Sequence, residues 1–151
     1  MPLERARVIG LLDAFQAAER AGADALGRWL AACRDPRLRG GLRVIQARDR
    51  RHAALAEARL RALGGQPCAR PSRELAALCE VVADPGVSDR SKLAALLARS
   101  PAAGSAPLRE YVARVEGDAE TRALLETIDD EERASLVWLH RMRDTLEHED
   151  A

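Results

Sequence analysis

Residues 118–146 read DAETRALLETIDDEERASLVWLHRMRDTL. A single row of mostly apolar side chains runs through this stretch in alternating steps of four and three residues: Thr121, Leu125, Ile128, Glu132, Ser135, Leu139, Met142 and Leu146. Side chains at these spacings share one face of an α-helix, and the regular alternation is typical of helices packed side by side in a bundle. Asp118 is a favourable N-cap for such a helix. The stretch therefore predicts a long helix within an all-α fold.

Two earlier stretches show the same periodicity. The face predicted for residues 3–33 consists of Val8, Leu12, Phe15, Glu19, Ala23, Leu26 and Leu30. The face predicted for residues 41–63 consists of Leu42, Ile45, Asp49, His52, Ala56, Leu60 and Leu63. We expect Asp35-Pro36 to end the first helix, because proline disfavours helical backbone in the residue before it. Gly64-Gly65, followed by Pro67, is expected to end the second helix, and the short turn between the two predicts an antiparallel pair.

The middle of the chain is less regular, and short helices are expected at residues 73–83, 88–99 and 106–116. Proline and glycine interrupt the pattern at residues 84–86 and 100–105. Together with the long helices, this arrangement predicts one all-α domain over residues 1–151. We expect an up-down four-helix bundle with a long crossover and a third helix broken between Pro101 and Pro107.

The composition limits the class of protein. Apolar residues make up 47% of the chain but aromatic residues only 3%, and the abundance of Ala and Leu favours helices over strands. Lys and Arg (24) balance Asp and Glu (24), which argues against a general nucleic-acid or anionic-membrane surface. Cys33, Cys68 and Cys79 form no Cys-x-x-Cys motif and are expected to pack as small apolar thiols. No signal peptide or long apolar run is apparent, so we expect a cytoplasmic protein.

Ionisable residues interrupt all three long apolar rows. Glu19, the Asp49/His52 pair and Glu132 each lie about a dozen residues, or about 18 Å, from the start of their predicted helices. Asp49 and His52 are three residues apart and share one helical face. We therefore expect the four side chains to meet in one layer of the bundle. Two or three carboxylates with one imidazole would suit iron, manganese or zinc.

A metal-free alternative remains open for the same layer. Buried acidic side chains beside a histidine can be satisfied by ion pairs, with Arg48, Arg51 or Arg133 reaching inward. On either interpretation, the residues of the charge blocks 48–51 and 129–132 that do not take part in the layer are expected to form solvated faces. The remaining candidates are expected to lie at the surface: Glu57, Glu110, Glu116, His140 and His148. Glu116 could alternatively be a displaced third-helix carboxylate.

Residues 48–53 (RDRRHA), followed by residues 60–67 (LRALGGQP), resemble the second helix of bacterioferritin and rubrerythrin relatives. In that superfamily a Glu-x-x-His ligand pair precedes a helix ending in a Leu-x-Gly-x-Pro type of turn. Residues 118–139 are similar to the fourth helix, which typically carries Glu-x-x-His-x-x-Trp-Leu, and residues 17–21 (AAERA) match the first-helix Glu position. The resemblance implies a ferritin-like fold and covers most of the three long helices, but it is poor between residues 68 and 117.

The departures from that pattern predict a degenerate di-iron site. Asp49 stands where the family has Glu, Ser135 stands where it has the fourth-helix His, and no third-helix ligand is apparent. At most one Fe or Mn ion is then expected, held by Glu19, His52 and Glu132, with or without Asp49. With these ligands missing, the resemblance implies a non-catalytic scaffold or interaction module. Such a module could be a homodimer, and the sequence identifies no other protein partner. The alternative is a mononuclear metal-binding protein with oxidase- or peroxidase-type redox activity.

Overall fold

A computed structural model describes the backbone of residues 4–103 and 105–149 and the side chains of residues 4–98 and 110–149. Within these ranges every regular element is a helix, which confirms the all-α prediction. The six helices are α1 (Arg5–Ala32), α2 (Pro36–Ala62), α3 (Arg73–Ala83), α4 (Asp89–Ala103), α5 (Ser105–Arg114) and α6 (Ala119–His148). None of the described helices combines the length and apolar character needed to cross a membrane.

The start of α2 differs from the sequence-based prediction. The helix begins at Pro36 and not at residue 41, because Asp35 acts as its N-cap and accepts a hydrogen bond from the backbone N–H of Arg37 at 3.0 Å. Pro36 then occupies the first helical position, where its missing N–H costs nothing and its fixed φ suits the helix. The same Asp-Pro pair therefore ends α1 and starts α2.

The predicted end of α2 is confirmed. Gly64 has a φ of +93°, in the left-handed region that favours glycine. Its N–H donates to the carbonyl of Arg61, and the N–H of Gly65 donates to the carbonyl of Leu60, each at 2.9 Å. This pair of bonds is a Schellman motif, which satisfies carbonyl groups that the last turn of the helix would otherwise leave unpaired.

The helix predicted at residues 88–99 ends later than expected. The helix α4 continues to Ala103, so Pro101 lies inside it, and α5 begins at Ser105 with Pro107 in its first turn. A proline close to a helix end removes one backbone hydrogen bond without ending the helix, and one in the first turn removes none. The described part of α4 thus ends at Ala103 and that of α5 begins at Ser105, and residue 104 lies outside the described residues.

The long helices surround two apolar clusters. One contains Trp29, Leu38, Leu42, Leu93 and Leu139, and the other contains Val8, Leu12, Leu60, Leu125 and Ile128. The helix α1 packs against α2 and α3, whereas α6 packs against α2, α4 and α5. The first cluster joins the end of α1 to the beginning of α2 and the end of α6, and the second joins the beginning of α1 to the end of α2 and the beginning of α6. The helices α1 and α2 are therefore antiparallel, and α6 runs parallel to α1. The residues of the predicted polar layer lie between the two clusters.

Candidate metal centre

The structure brings the four predicted side chains together. Glu19 comes from α1, Asp49 and His52 come from α2, and Glu132 comes from α6. Each offers one ligand atom, and these four atoms all lie within 4.8 Å of one another. The group could hold a metal ion, since carboxylate oxygen and imidazole nitrogen are the donors that iron, manganese and zinc accept.

The imidazole of His52 is the most deeply buried part of the site, with its side chain 2% exposed. Its Nε2 lies 2.7 Å from Oε2 of Glu131, and because a carboxylate accepts, Nε2 carries the proton. Its Nδ1 is buried and has no hydrogen-bond partner. The nearest acidic atoms to Nδ1 are Oε1 of Glu132 at 3.4 Å and Oε2 of Glu19 at 3.9 Å. In neutral His52 the Nδ1 lone pair therefore faces two carboxylates.

The carboxylates repel one another in the interior. Burial, together with the charges of Glu132 and Asp49, raises the pKa of Glu19 well above its usual range. Burial and the charge of Glu132 raise the pKa of Asp49 to about 7. Burial alone would lower the pKa of His52, but Glu132 and Glu131 outweigh it and raise that pKa. Without a metal ion, the layer therefore favours retaining protons, which is the usual response of clustered buried carboxylates.

Glu131 is part of this site, although the sequence pattern does not predict it. The block of residues 129–132 was expected to form a solvated face, and this expectation is wrong for two of its members. Glu131 bonds to His52 and Arg51, and Asp129 is only 4% exposed and pairs with Arg133. The helix α6 packs against α2, α4 and α5, so residues beside its apolar row are also covered. The available signal was the position of Glu131 directly before a ligand candidate.

Three arginines surround the layer without entering the group of four ligand atoms. Arg51 pairs with Glu131, and Arg133 pairs with Asp129. Arg48 donates from Nη1 to Oγ of Ser135 at 3.1 Å. The inward network of the metal-free alternative is therefore present in part, and it engages Glu131 and Ser135.

The other candidates lie elsewhere among the described side chains. Glu57 pairs with Arg20 and Arg61, and Glu110 and Glu116 are exposed. His148 is exposed and His140 is half-buried, and neither belongs to the cluster. Glu116 is thus not a displaced ligand of this centre. The predicted interruption at residues 100–105 lies within residues 99–109, whose side chains are not described.

The three cysteines are free thiols, and only Cys33 is fully buried. Burial and the charge of Asp89 raise the pKa of the Cys33 thiol. Cys68 is exposed, contrary to the expectation that it packs as an apolar side chain. Its backbone N–H and its thiol both donate to the carboxylate of Asp13, which also accepts from the N–H of Ala69. Asp13 therefore fixes the connection that follows α2.

Comparisons of the chain with protein-family models, with curated proteins and with solved structures each found no match. The geometry of the polar layer is consequently the basis on which a function is assigned.

Proposed function

We propose that this chain is a metal-binding helical protein of the ferritin-like type, whose polar layer holds a single Fe or Mn ion. The observation that carries the proposal is the hydrogen bonding of the two ring nitrogens of His52. Its Nδ1 is buried and unpartnered, while Glu131 holds its Nε2. Histidine ligands of metals characteristically donate their other ring N–H to a carboxylate or carbonyl, which fixes the tautomer and the ring orientation. His52 has this arrangement.

The charge of the layer supports the same proposal. Three carboxylates around one imidazole, in a layer between two apolar clusters, are costly unless a cation neutralises them. A divalent ion at the centre would contact Nδ1 of His52 and one oxygen from each of Glu19, Asp49 and Glu132. Such a set of hard oxygen donors with one imidazole suits Mn²⁺ and Fe²⁺. A bound Fe or Mn ion would supply one-electron redox chemistry of the oxidase or peroxidase type.

A metal-free scaffold is the second candidate, and one observation favours it. The raised pKa values of Glu19 and Asp49 mean that protons can take the place of the ion and relieve the repulsion. On this alternative, the layer fixes how the helices align and the protein acts as an interaction module, for example as a homodimer. The two candidates differ in metal content, which is directly measurable.

The test is metal analysis of full-length protein purified without chelators, with Fe, Mn and Zn measured per chain. The proposal expects close to one ion per chain after Mn²⁺ or Fe²⁺ loading and dialysis. His52→Ala should lose that ion, whereas His148→Ala, the same change at an exposed histidine, should keep it. Retention of the ion by His52→Ala would overturn the assignment of His52 as a ligand, and absence of bound metal in the wild type after loading would favour the scaffold.

A further inference from the structure

A fixed positive charge lies at one side of the polar layer. Arg48 directly precedes Asp49 in α2, and its guanidinium donates across to Oγ of Ser135 in α6 at 3.1 Å. Ser135 is buried, with 7% of its surface exposed, and lies one helical turn beyond Glu132 on the same face. This hydrogen bond holds the guanidinium between the two helices that supply Asp49 and Glu132, instead of leaving it in solvent.

Arg48 is less exposed than its neighbour Arg50. Its side chain is half-buried where the guanidinium contacts Ser135, beside the two helices that supply Asp49 and Glu132. Arg50, two residues further along α2, is exposed. The two arginines therefore have the same formal charge but differ in burial.

The charges of the layer balance with one divalent ion. Glu19, Asp49 and Glu132 contribute −3 when ionised, neutral His52 contributes none, and Glu131 is balanced by Arg51, with which it pairs. A divalent ion adds +2 and Arg48 adds +1, which brings the total to zero. A trivalent ion at the same place would leave a net positive charge in the interior, which is unfavourable.

We propose that the Arg48 guanidinium, held by Ser135, serves as the second cation of this layer and sets its preference for a divalent over a trivalent ion. The inference rests on the proposed metal site and assigns Arg48 a role in specificity without making it a ligand. If the Arg48–Ser135 contact merely packs α2 against α6, removing the charge will change stability but leave the ion preference unaltered.

The test compares the affinities of full-length protein for Mn²⁺ and Tb³⁺, measured by titration calorimetry and by terbium luminescence. Arg48→Gln should raise the ratio of the Mn²⁺ to the Tb³⁺ dissociation constant by about tenfold. Removal of the nearby positive charge strengthens binding in proportion to the charge of the ion, so the affinity for Tb³⁺ rises more than the affinity for Mn²⁺. Arg48→Lys keeps the charge and should leave the ratio near that of the wild type. Arg50→Gln is the matched control for loss of an exposed arginine and should also leave it unaltered.

The outcomes separate this inference from the proposed function. If the wild type binds neither ion, both are overturned. If the wild type binds Mn²⁺ but Arg48→Gln has the same ratio as Arg50→Gln, only the role of Arg48 is overturned. Should Arg48→Gln fail to fold, Ser135→Ala releases the guanidinium without removing it. A smaller shift in the same direction is then expected, and no shift would overturn the inference.

Discussion

The Nε2 atom of His52 lies 2.7 Å from Oε2 of Glu131, and Glu131 directly precedes Glu132 in α6. Two consecutive residues of α6 thus contact opposite sides of one imidazole, since Oε1 of Glu132 lies 3.4 Å from Nδ1. Burial alone would raise the pKa of Glu131, but His52 and Arg51 outweigh it and hold that pKa below its usual range. Glu131 is therefore an ionised acceptor, which keeps the proton of His52 on Nε2.

Glu131→Gln should weaken metal binding without removing a proposed ligand. The amide keeps the size of the side chain but loses the charge that orients the imidazole. Changes of this kind to the partner of a histidine ligand typically cost about 10–100-fold in metal affinity. The measurement is the Mn²⁺ dissociation constant by calorimetry. Asp130→Asn, at the exposed neighbouring position, is the control. Unchanged affinity in Glu131→Gln would show that the hydrogen bond does not orient a ligand.

A ferrous iron titration should saturate at no more than one equivalent per chain. A carboxylate-bridged pair of metals in helical bundles typically takes a Glu from each of two helices and a Glu-x-x-His from each of the other two. In this chain Ser135 stands at the second histidine position, and the described residues form one group of four ligand atoms. Oxygen consumption measured alongside should show no ferroxidase turnover. Two bound equivalents together with turnover would contradict the prediction.

Gly41→Ala should destabilise the fold, because a Cβ at this position would overlap the indole ring of Trp138. The close approach joins α2 to α6, so one helix or the ring must shift. Overpacking of this kind costs about 1–3 kcal/mol. Gly40→Ala is the matched control, since a Cβ there meets nothing within 4 Å. That change should stabilise the exposed helix position by about 0.5–1 kcal/mol. Urea unfolding of both variants should show a lower free energy of unfolding for Gly41→Ala and a higher one for Gly40→Ala.

The stabilisation contributed by Asp118 should disappear in acid. Its carboxylate accepts from the backbone N–H of Thr121 at 3.0 Å and pairs with Arg59 at 2.7 Å. Burial by itself raises the pKa of Asp118, but these contacts outweigh it and hold the pKa below its ordinary 3.8. A pKa that is lower in the folded state gives stability that is present above about pH 4 and lost as the pH falls through the folded value.

The check compares the free energy of unfolding of the wild type with that of Asp118→Asn, which keeps a good N-cap acceptor and removes the charge. The difference should reach up to about 1 kcal/mol near neutral pH and shrink toward zero at about pH 2. A difference that stays constant over this range would show that the charge of Asp118 does not contribute.

The helices and their ends follow largely from local sequence. The spacing of the apolar row in residues 118–146, the Asp118 cap and the Gly64-Gly65 stop each act within a few residues, and the structure has them where they were predicted. The two boundaries that were wrong involve proline. Pro36 starts a helix and Pro101 lies inside one, because the same residue can end a helix, begin one or be tolerated near its end.

The sequence by itself determined which residues would share the polar layer, since equal depth along helices of similar length requires no knowledge of their neighbours. The tertiary structure decided what surrounds each of these residues. That Glu131 bonds to His52, that Asp129 is buried and that Arg48 reaches Ser135 depend on how α2 and α6 are rotated toward each other. This rotation is set by the packing of side chains from both helices, such as Trp138 against Gly41, and periodicity within one helix does not encode it.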